Sequence, residues 1–199
     1  IYRSGCSHIF CVVDANAFTA VGCGENHVTD MIRANVIGIL IMCDIAQQKN
    51  VHVSNFVLGC FDKDHTEDTL NDKPRKDVLN CCGSFYPEMM LRCYAHVLQF
   101  GVHMLLDSDL QNPCNLLTKI SNYPKVCHIP KSFTVLEESF PMAIDEALRG
   151  LIGSYNWTNT GVISHNEILE LYRDYLHPEF MWQNYTEEEE AELMRKSYA

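Results

Sequence analysis

Ten cysteines, at positions 6, 11, 23, 43, 60, 81, 82, 93, 114 and 127, are the residues of this chain most able to do covalent or metal chemistry. A thiolate serves as nucleophile, zinc ligand or disulfide partner, and each use demands its own surroundings. Several of these thiols sit inside apolar runs, Phe10-Cys11-Val12, Met42-Cys43 and Gly59-Cys60-Phe61, where a cysteine behaves as a small buried hydrophobe. No Cys-x-x-Cys occurs and the histidines do not pair with cysteines at a repeated ligand spacing, so no metal site is expected. The even count would fit the disulfides of a small secreted protein; the positions favour reduced core thiols and a cytoplasmic location. The acidic run Glu187 to Glu190 follows Thr186 and reads as a solvated helix start. Gly22-x-Gly24 lacks the third glycine of a dinucleotide-binding turn, and His165, just inside a capped helix start, reads as structural.

The elements that must position any site alternate between short apolar β-rich runs and helical patterns. His8 to Val13 reads as a buried strand, and Thr29 to Gln48 has apolar residues at Met31, Ile32, Val36, Ile39, Leu40, Cys43 and Ile45, a helical spacing. Val51 to Cys60 is the next strand. Strand, helix, strand at this separation predicts a parallel βαβ unit covered on both faces. The polar stretch Asp62 to Asn80, with Pro74 inside it, is expected to be a functional loop. Further on, the sequence predicts a short helix over Glu88 to Leu98, a strand from Gln99 to Leu106 and a helical turn from Leu116 to Ile120. A helix from Pro141 to Leu148, with proline in its first turn, and a short strand over Tyr155 to Thr158 follow. Ser164 and Glu167 form a capping box ahead of Ile168, Leu169, Leu171, Tyr172 and Tyr175, and Thr186 repeats the device at the start of the final helix.

The 199 residues are 47% hydrophobic and 21% charged, which excludes a disordered or low-complexity chain. Fifteen basic against 26 acidic residues give a formal charge of −11, which disfavours nucleic acid and anionic membranes as partners. The longest apolar stretch, Val36 to Cys43, is far shorter than the roughly 20 residues of a membrane helix. The first residues, Ile1 to Cys6, lack the layout of a signal peptide, so a soluble chain, cut at its start, is expected. The sequons at Asn156 and Asn184 therefore carry no weight.

The second half carries Ser108-Asp-Leu-Gln-Asn-Pro113, Thr118-Lys-Ile, Ile129-Pro, Thr134-Val-Leu-Glu and Tyr155-Asn-Trp-Thr-Asn. Gly161-Val-Ile-Ser-His-Asn-Glu-Ile-Leu-Glu170 and Pro178-Glu-Phe-x-Trp182 follow. The first half carries Ile32-Arg-x-Asn-Val-x-Gly38, Asn55-Phe-x-x-Gly-Cys60, Asp72-Lys-Pro74 and Gly83-Ser-Phe-Tyr86. Together these resemble the epimerase-reductase domain of plant-type rhamnose synthase, an extended short-chain dehydrogenase/reductase. The resemblance implies an α/β chain: part of a Rossmann-type parallel sheet with helices on both faces over residues 1–107, and a small sugar-nucleotide-binding part over 108–199. It implies NADP or NAD as cofactor, a UDP- or dTDP-linked 4-keto-6-deoxyhexose as substrate, epimerisation at C3 and C5 followed by reduction at C4, and leaves a homodimer open.

In that family a Tyr gives a proton to the carbonyl oxygen, a Lys four residues on lowers the Tyr pKa and holds the cofactor ribose, a Ser or Thr polarises the carbonyl, and a helix Asn completes the set. The resemblance places Asn35 at the helix Asn and Tyr86 at the catalytic Tyr. It places Leu58, without a hydroxyl, at the Ser/Thr position and Met90, without a charge, at the Lys position. Around a helix from Tyr86 the same face carries Met89, Met90 and Cys93, and Arg92 points elsewhere. The family's glycine-rich turn belongs upstream of Ile1, and its Asn-Ala-Ala-Gly stretch reads Cys11-Val-Val-Asp14, so tight dinucleotide binding by these residues alone is not expected. On the substrate side the resemblance assigns Asn112, Asn115, Thr134 and Glu137, with Cys114 in place of an Arg. Lys119, Lys125 and Lys131 are either a basic rim for a diphosphate or solvated surface. Three readings follow: an epimerase/reductase, a non-catalytic relative that binds the nucleotide sugar, or a decayed chain without a stable role.

Overall fold

The computed structural model describes residues 6–12, 28–58, 88–113 and 115–197. They fall into two compact units, one of residues 1–103 with 138–157 and one of 104–137 with 158–199. The second unit thus takes two stretches of chain, where the sequence suggests one cut at 107/108.

The first unit is built on a four-stranded sheet: β1 (His8–Val12), β2 (His52–Leu58), β3 (Val97–Val102) and β6 (Gly153–Asn156), adjacent in that order and parallel at every pairing. Between β1 and β2 runs a helical stretch of three parts, α1 (Val28–Ile32), a π-helical segment (Arg33–Gly38) and α2 (Ile39–Gln48). A Cβ on Gly38 would stand 3.3 Å from the Arg33 carbonyl oxygen, so the wide turn favours the residue that has none. The stretch ends on Asn50 at φ 53°, with Val51 N–H donating back to the Ala46 carbonyl, a left-handed cap that asparagine tolerates.

Ile39, Cys43 and Ala46 of α2 pack with Val51, Val53 and Val97, which covers one face of the sheet. The other face is aromatic. Phe56 stacks on Phe100 at 4.9 Å and on Phe140 at 4.7 Å, and Trp157 meets Phe100 edge-on at 4.8 Å. Phe140 belongs to α4 (Leu136–Leu148), so helices lie on both faces, as the βαβ pattern predicts.

The expected boundaries shift where packing overrides local pattern. Helix is confined to 88–91 in the stretch expected to run to Leu98, because Val97 and Leu98 are drawn into the ladder with Val53 and Ser54. The expected strand to Leu106 breaks at Met104, at φ 44°, and resumes as β4 (Leu105–Leu106) in the second unit. Pro141 lies inside α4, not in its first turn, since the helix begins five residues earlier. The strand expected over 155–158 is displaced to 153–156 by its pairing with β3.

His52 opens β2, with its ring 5.3 Å from His8 and its Nε2 2.8 Å from the Leu151 carbonyl oxygen. Burial first, then the nearby His8 and His96, hold its pKa below the ordinary range. The unfolded chain therefore binds more protons just below pH 6.5, and stability is complete above that value and declines as the pH falls through it. Urea titrations of the native chain and His52→Gln between pH 7.5 and 5.5 are expected to show a weaker decline in the variant.

The second unit pairs β4 in parallel with β5 (Thr134–Val135) and adds α3 (Leu116–Ser121), α5 (His165–Tyr175) and α6 (Glu187–Ser197). Ile120, Val126, Phe133, Ile168 and Leu169 form its core. The Ser164–Glu167 capping box is present in full. At α6 the amide of Glu189 donates to Thr186 Oγ1 while Glu189 Oε2 accepts from the Thr186 amide, and Lys125 holds the same carboxylate at 2.6 Å. The acidic run is thus a helix start, as read from the sequence.

Candidate functional site

Because all four strands of the first unit run parallel, their carboxyl ends share one edge, where open α/β sheets place ligands. Leu58 is the last residue of β2 and registers with Val102 of β3. Asn35 falls in the π-helical segment. Tyr86, Asp14, the 62–80 loop, Gly22, Gly24 and Cys114 lie outside the described residues.

Met90 lies in the helical turn 88–91 with 46% of its surface exposed. The nearest basic residue in sequence, Arg92, is tied to Glu88 by a 2.5 Å ion pair one helical turn back. Among the described residues this turn thus offers no free cation to take the part of a lysine. Of the groups the resemblance asks for, Leu58 therefore offers no hydroxyl to a ketone and Met90 no charge to a cofactor ribose.

A feature not anticipated from the sequence crosses the same sheet. Cys11, Asn55, Gln99 and Ser154 are successive register partners across the four strands. Gln99 Nε2 donates to Ser154 Oγ at 2.8 Å and to the Glu88 carbonyl at 3.1 Å. Asn55 Oδ1 and Nδ2 and Gln99 Oε1 are buried without a partner. The sequence signal is an amide in each of two neighbouring strands, Asn55 in β2 and Gln99 in β3. Cys43 and Cys11 are poor nucleophiles: burial, followed by Cys11 and Asp44, pushes the Cys43 pKa up to about 12, and burial raises Cys11 as well. Among the described residues no group of three or more His, Cys, Asp or Glu is placed to hold a metal ion.

In the second unit the assigned residues have different duties. Asn115 is buried; its Oδ1 caps α3 through the Leu117 amide at 3.0 Å, and its Nδ2 donates to the carbonyls of Asp107 and Asp109 at 2.6 and 3.0 Å. Asn115→Ala removes all three bonds and is expected to cost about 1–3 kcal/mol, read as a lower urea midpoint. Thr134 is fully buried in β5 and Asn112 is half-buried. Glu137 is exposed, and hydrogen bonds from the Ser108 hydroxyl and amide, the latter at 2.7 Å, hold its carboxyl below the usual range.

Of the four, Glu137 alone lines a cavity of about 670 Å³ within this unit, beside Asp107, Ser108, Asn159 and Thr160. The remainder of the wall is largely apolar, with Phe133, Val135, Ile163, Ile168, Leu171 and Leu176 among its residues. Among the described residues no Lys or Arg lines it, so Lys119, Lys125 and Lys131 form no basic rim here. Lys125 is spent on Glu189 and the Tyr185 ring. Nearby, His165 is held below its ordinary pKa by burial and by Lys131, and its Nε2 has no partner.

The parallel sheet with helices on both faces is a Rossmann-type fold. A dTDP-4-dehydrorhamnose reductase from Bacillus anthracis, solved with NADP, superposes with a TM-score of 0.74 over 90% of this chain and 66% of its own at 13% identity, a likeness of fold. The UDP-rhamnose synthase of Acanthamoeba polyphaga mimivirus superposes with a TM-score of 0.74 at 30% identity, over 81% of this chain and 59% of its own.

The chain is a homologue of the rhamnose-synthesis epimerase/reductases. It is 43% identical over 197 residues, 94% of its length, to the trifunctional UDP-glucose 4,6-dehydratase/UDP-4-keto-6-deoxy-D-glucose 3,5-epimerase/UDP-4-keto-L-rhamnose-reductase of Arabidopsis thaliana. It is 41% identical over the same span to the bifunctional dTDP-4-dehydrorhamnose 3,5-epimerase/dTDP-4-dehydrorhamnose reductase of that plant. It spans 29% and 65% of the lengths of these two relatives. No protein-family model matches it.

Proposed function

We propose that the chain keeps the scaffold of the 3,5-epimerase/4-reductases and binds a UDP- or dTDP-linked 4-keto-6-deoxyhexose, but delivers hydride poorly or not at all. The observation that carries this reading is the turn at Met90, the position the resemblance gives to the lysine: its side chain is uncharged and half exposed, and the neighbouring Arg92 is paired with Glu88. A catalytic tyrosine without that cation is not activated, and lost acid–base help of this kind typically costs a factor of about 10²–10⁴. Asn35 and Tyr86, retained in type, favour the second reading, a working NAD(P)H-dependent reductase.

Substrate contacts in this account come from the 107–115 segment, ordered by Asn115, with Asn112 at its surface and Glu137 as an acceptor for sugar hydroxyls. Thr134 supports them from β5. Calorimetric titration with a UDP-sugar and a dTDP-sugar, alongside an NADPH-oxidation assay with a 4-ketosugar, tests the proposal. Saturable heat with a flat absorbance trace is expected; turnover at a rate typical of enzymes, about 1 s⁻¹ or more, sinks it.

A homodimer belongs to the same reading. Ile37, Ile41 and Ile45 are exposed at four-residue intervals along the helical stretch, an apolar stripe suited to a symmetry mate. Sedimentation velocity is expected to give a dimer that Ile41→Asp converts to monomer. Among the described residues no helix is long and apolar enough to cross a membrane.

A further inference from the structure

The body of the cavity in the second unit is unexplained by sugar binding. Its apolar lining continues onto the surface through Val162, Leu171 and Leu176, each about half exposed, and Tyr175, which is 81% exposed. Leu171 and Tyr175 stand one turn apart on α5, so the helix turns an apolar ridge outward beside an apolar hollow. At one corner stand Asp107 and Glu137, and Ser108 keeps Glu137 ionised. A diphosphate would meet two carboxylates and no cation here. A neutral apolar ligand would leave that charge unanswered at the mouth. An amphipathic helix answers both features, with apolar side chains at successive turns for the hollow and a Lys or Arg on its flank for the acidic corner.

We propose that this groove docks a basic amphipathic helix supplied by another polypeptide. The formal charge of −11 draws such a partner in, and the apolar ridge retains it. The proposal goes beyond nucleotide-sugar binding and shares with it only Glu137, the proposed acceptor for sugar hydroxyls; the diphosphate itself has no cation to meet in this cavity.

The test uses the full chain and fluorescence anisotropy with a labelled peptide of about 18 residues, long enough for several helical turns, carrying Leu at helical spacing and Lys elsewhere. The comparison peptides are a scramble of the same composition and a Leu/Glu version, all at about 150 mM salt, where long-range attraction is screened. Saturable binding of the amphipathic Leu/Lys peptide alone is expected. Leu171→Asp, although it adds negative charge, should weaken it about tenfold or more, and Glu137→Gln should weaken it several-fold. Val162→Asp, a loop substitution at an exposed site, serves as a second probe, with melting curves confirming that each variant folds. Equal binding of the scramble, or binding untouched by Leu171→Asp and Val162→Asp, overturns the proposal. So does displacement of the peptide by UDP, which would make the groove a nucleotide site, or a dimer that dissociates on Leu171→Asp, which would make a second copy the occupant.

Discussion

Met90→Lys combined with Leu58→Thr is expected to raise NAD(P)H-dependent reduction of a nucleotide-linked 4-ketosugar by about 10²-fold or more over the native chain. The two changes restore different parts of one act. A lysine at 90 would restore the cation that the resemblance places four residues after Tyr86, to lower the energy of a phenolate and anchor the cofactor ribose. A hydroxyl at 58, at the carboxyl end of β2, would polarise the ketone from the sheet edge. Because Met90 is half exposed and Arg92 is already satisfied by Glu88, the lysine meets little desolvation and no competition for a counter-ion. Each single change is expected to recover less than the pair, since groups that act together are not additive. Steady-state absorbance at 340 nm reads the outcome. Equal rates in the native chain and the double variant would mean that the deficit lies outside these positions.

The largest effect on stability is expected from Phe100→Ala. Phe100 is fully buried in β3 and bridges Phe56 on one side and Trp157 on the other, at 4.9 and 4.8 Å. Its loss opens a cavity under the centre of the sheet, where neighbouring strands and α4 relax only in part. Phe-to-Ala changes of this kind cost about 3–5 kcal/mol. For a chain of this size that corresponds to a melting point lower by roughly 6–20 °C. Trp157 also donates its indole N–H to the Ser139 carbonyl at 2.9 Å, so its position outlasts the loss of Phe100 and limits collapse into the void. A shift in the urea midpoint at constant slope would confirm a packing loss, and a change of slope would point to altered compactness.

What the sequence revealed of the fold follows from where local pattern and tertiary demand agree. The helical spacing over 29–48 and the capping box at Ser164 name their elements because periodicity and cap chemistry point the same way, whereas the apolar run at 8–13 names a strand but not its burial: β1 ends the row of described strands and leaves Phe10 42% exposed. The π-helical segment has no comparable signal beyond Gly38, since a widened turn is decided by one close backbone approach. The helix expected to reach Leu98 was cut short by a ladder with β2, a partner some forty residues away in sequence. The return of 153–156 to the sheet beside β3 depends on contacts more than fifty residues apart, which no local window holds.

The site was legible in a different way. Leu58 and Met90 stand out only against the resemblance to a family whose chemistry needs a hydroxyl and a lysine at those places. Periodicity alone reads both as ordinary apolar residues. Asn115 illustrates the reverse: its type fits a ligand contact, and its three hydrogen bonds show how much of that type is spent on ordering the 107–115 segment. The buried amides of Asn55 and Gln99 were passed over because a strand that is mostly apolar hides the register in which they align.

The central claim, a nucleotide-sugar-binding relative that has lost its hold on the nicotinamide, is tested most directly by a thermal-shift titration of the full chain. The ligands are NADPH, NADH, a UDP-sugar and a dTDP-sugar. A ligand that binds the native state alone raises the transition by mass action, by about 2.7 kcal/mol at one hundred times its dissociation constant. The account predicts a single cooperative transition that rises with one or both nucleotide sugars and is unmoved by either dinucleotide. A rise with NADPH or NADH as large as that with the sugars would contradict it.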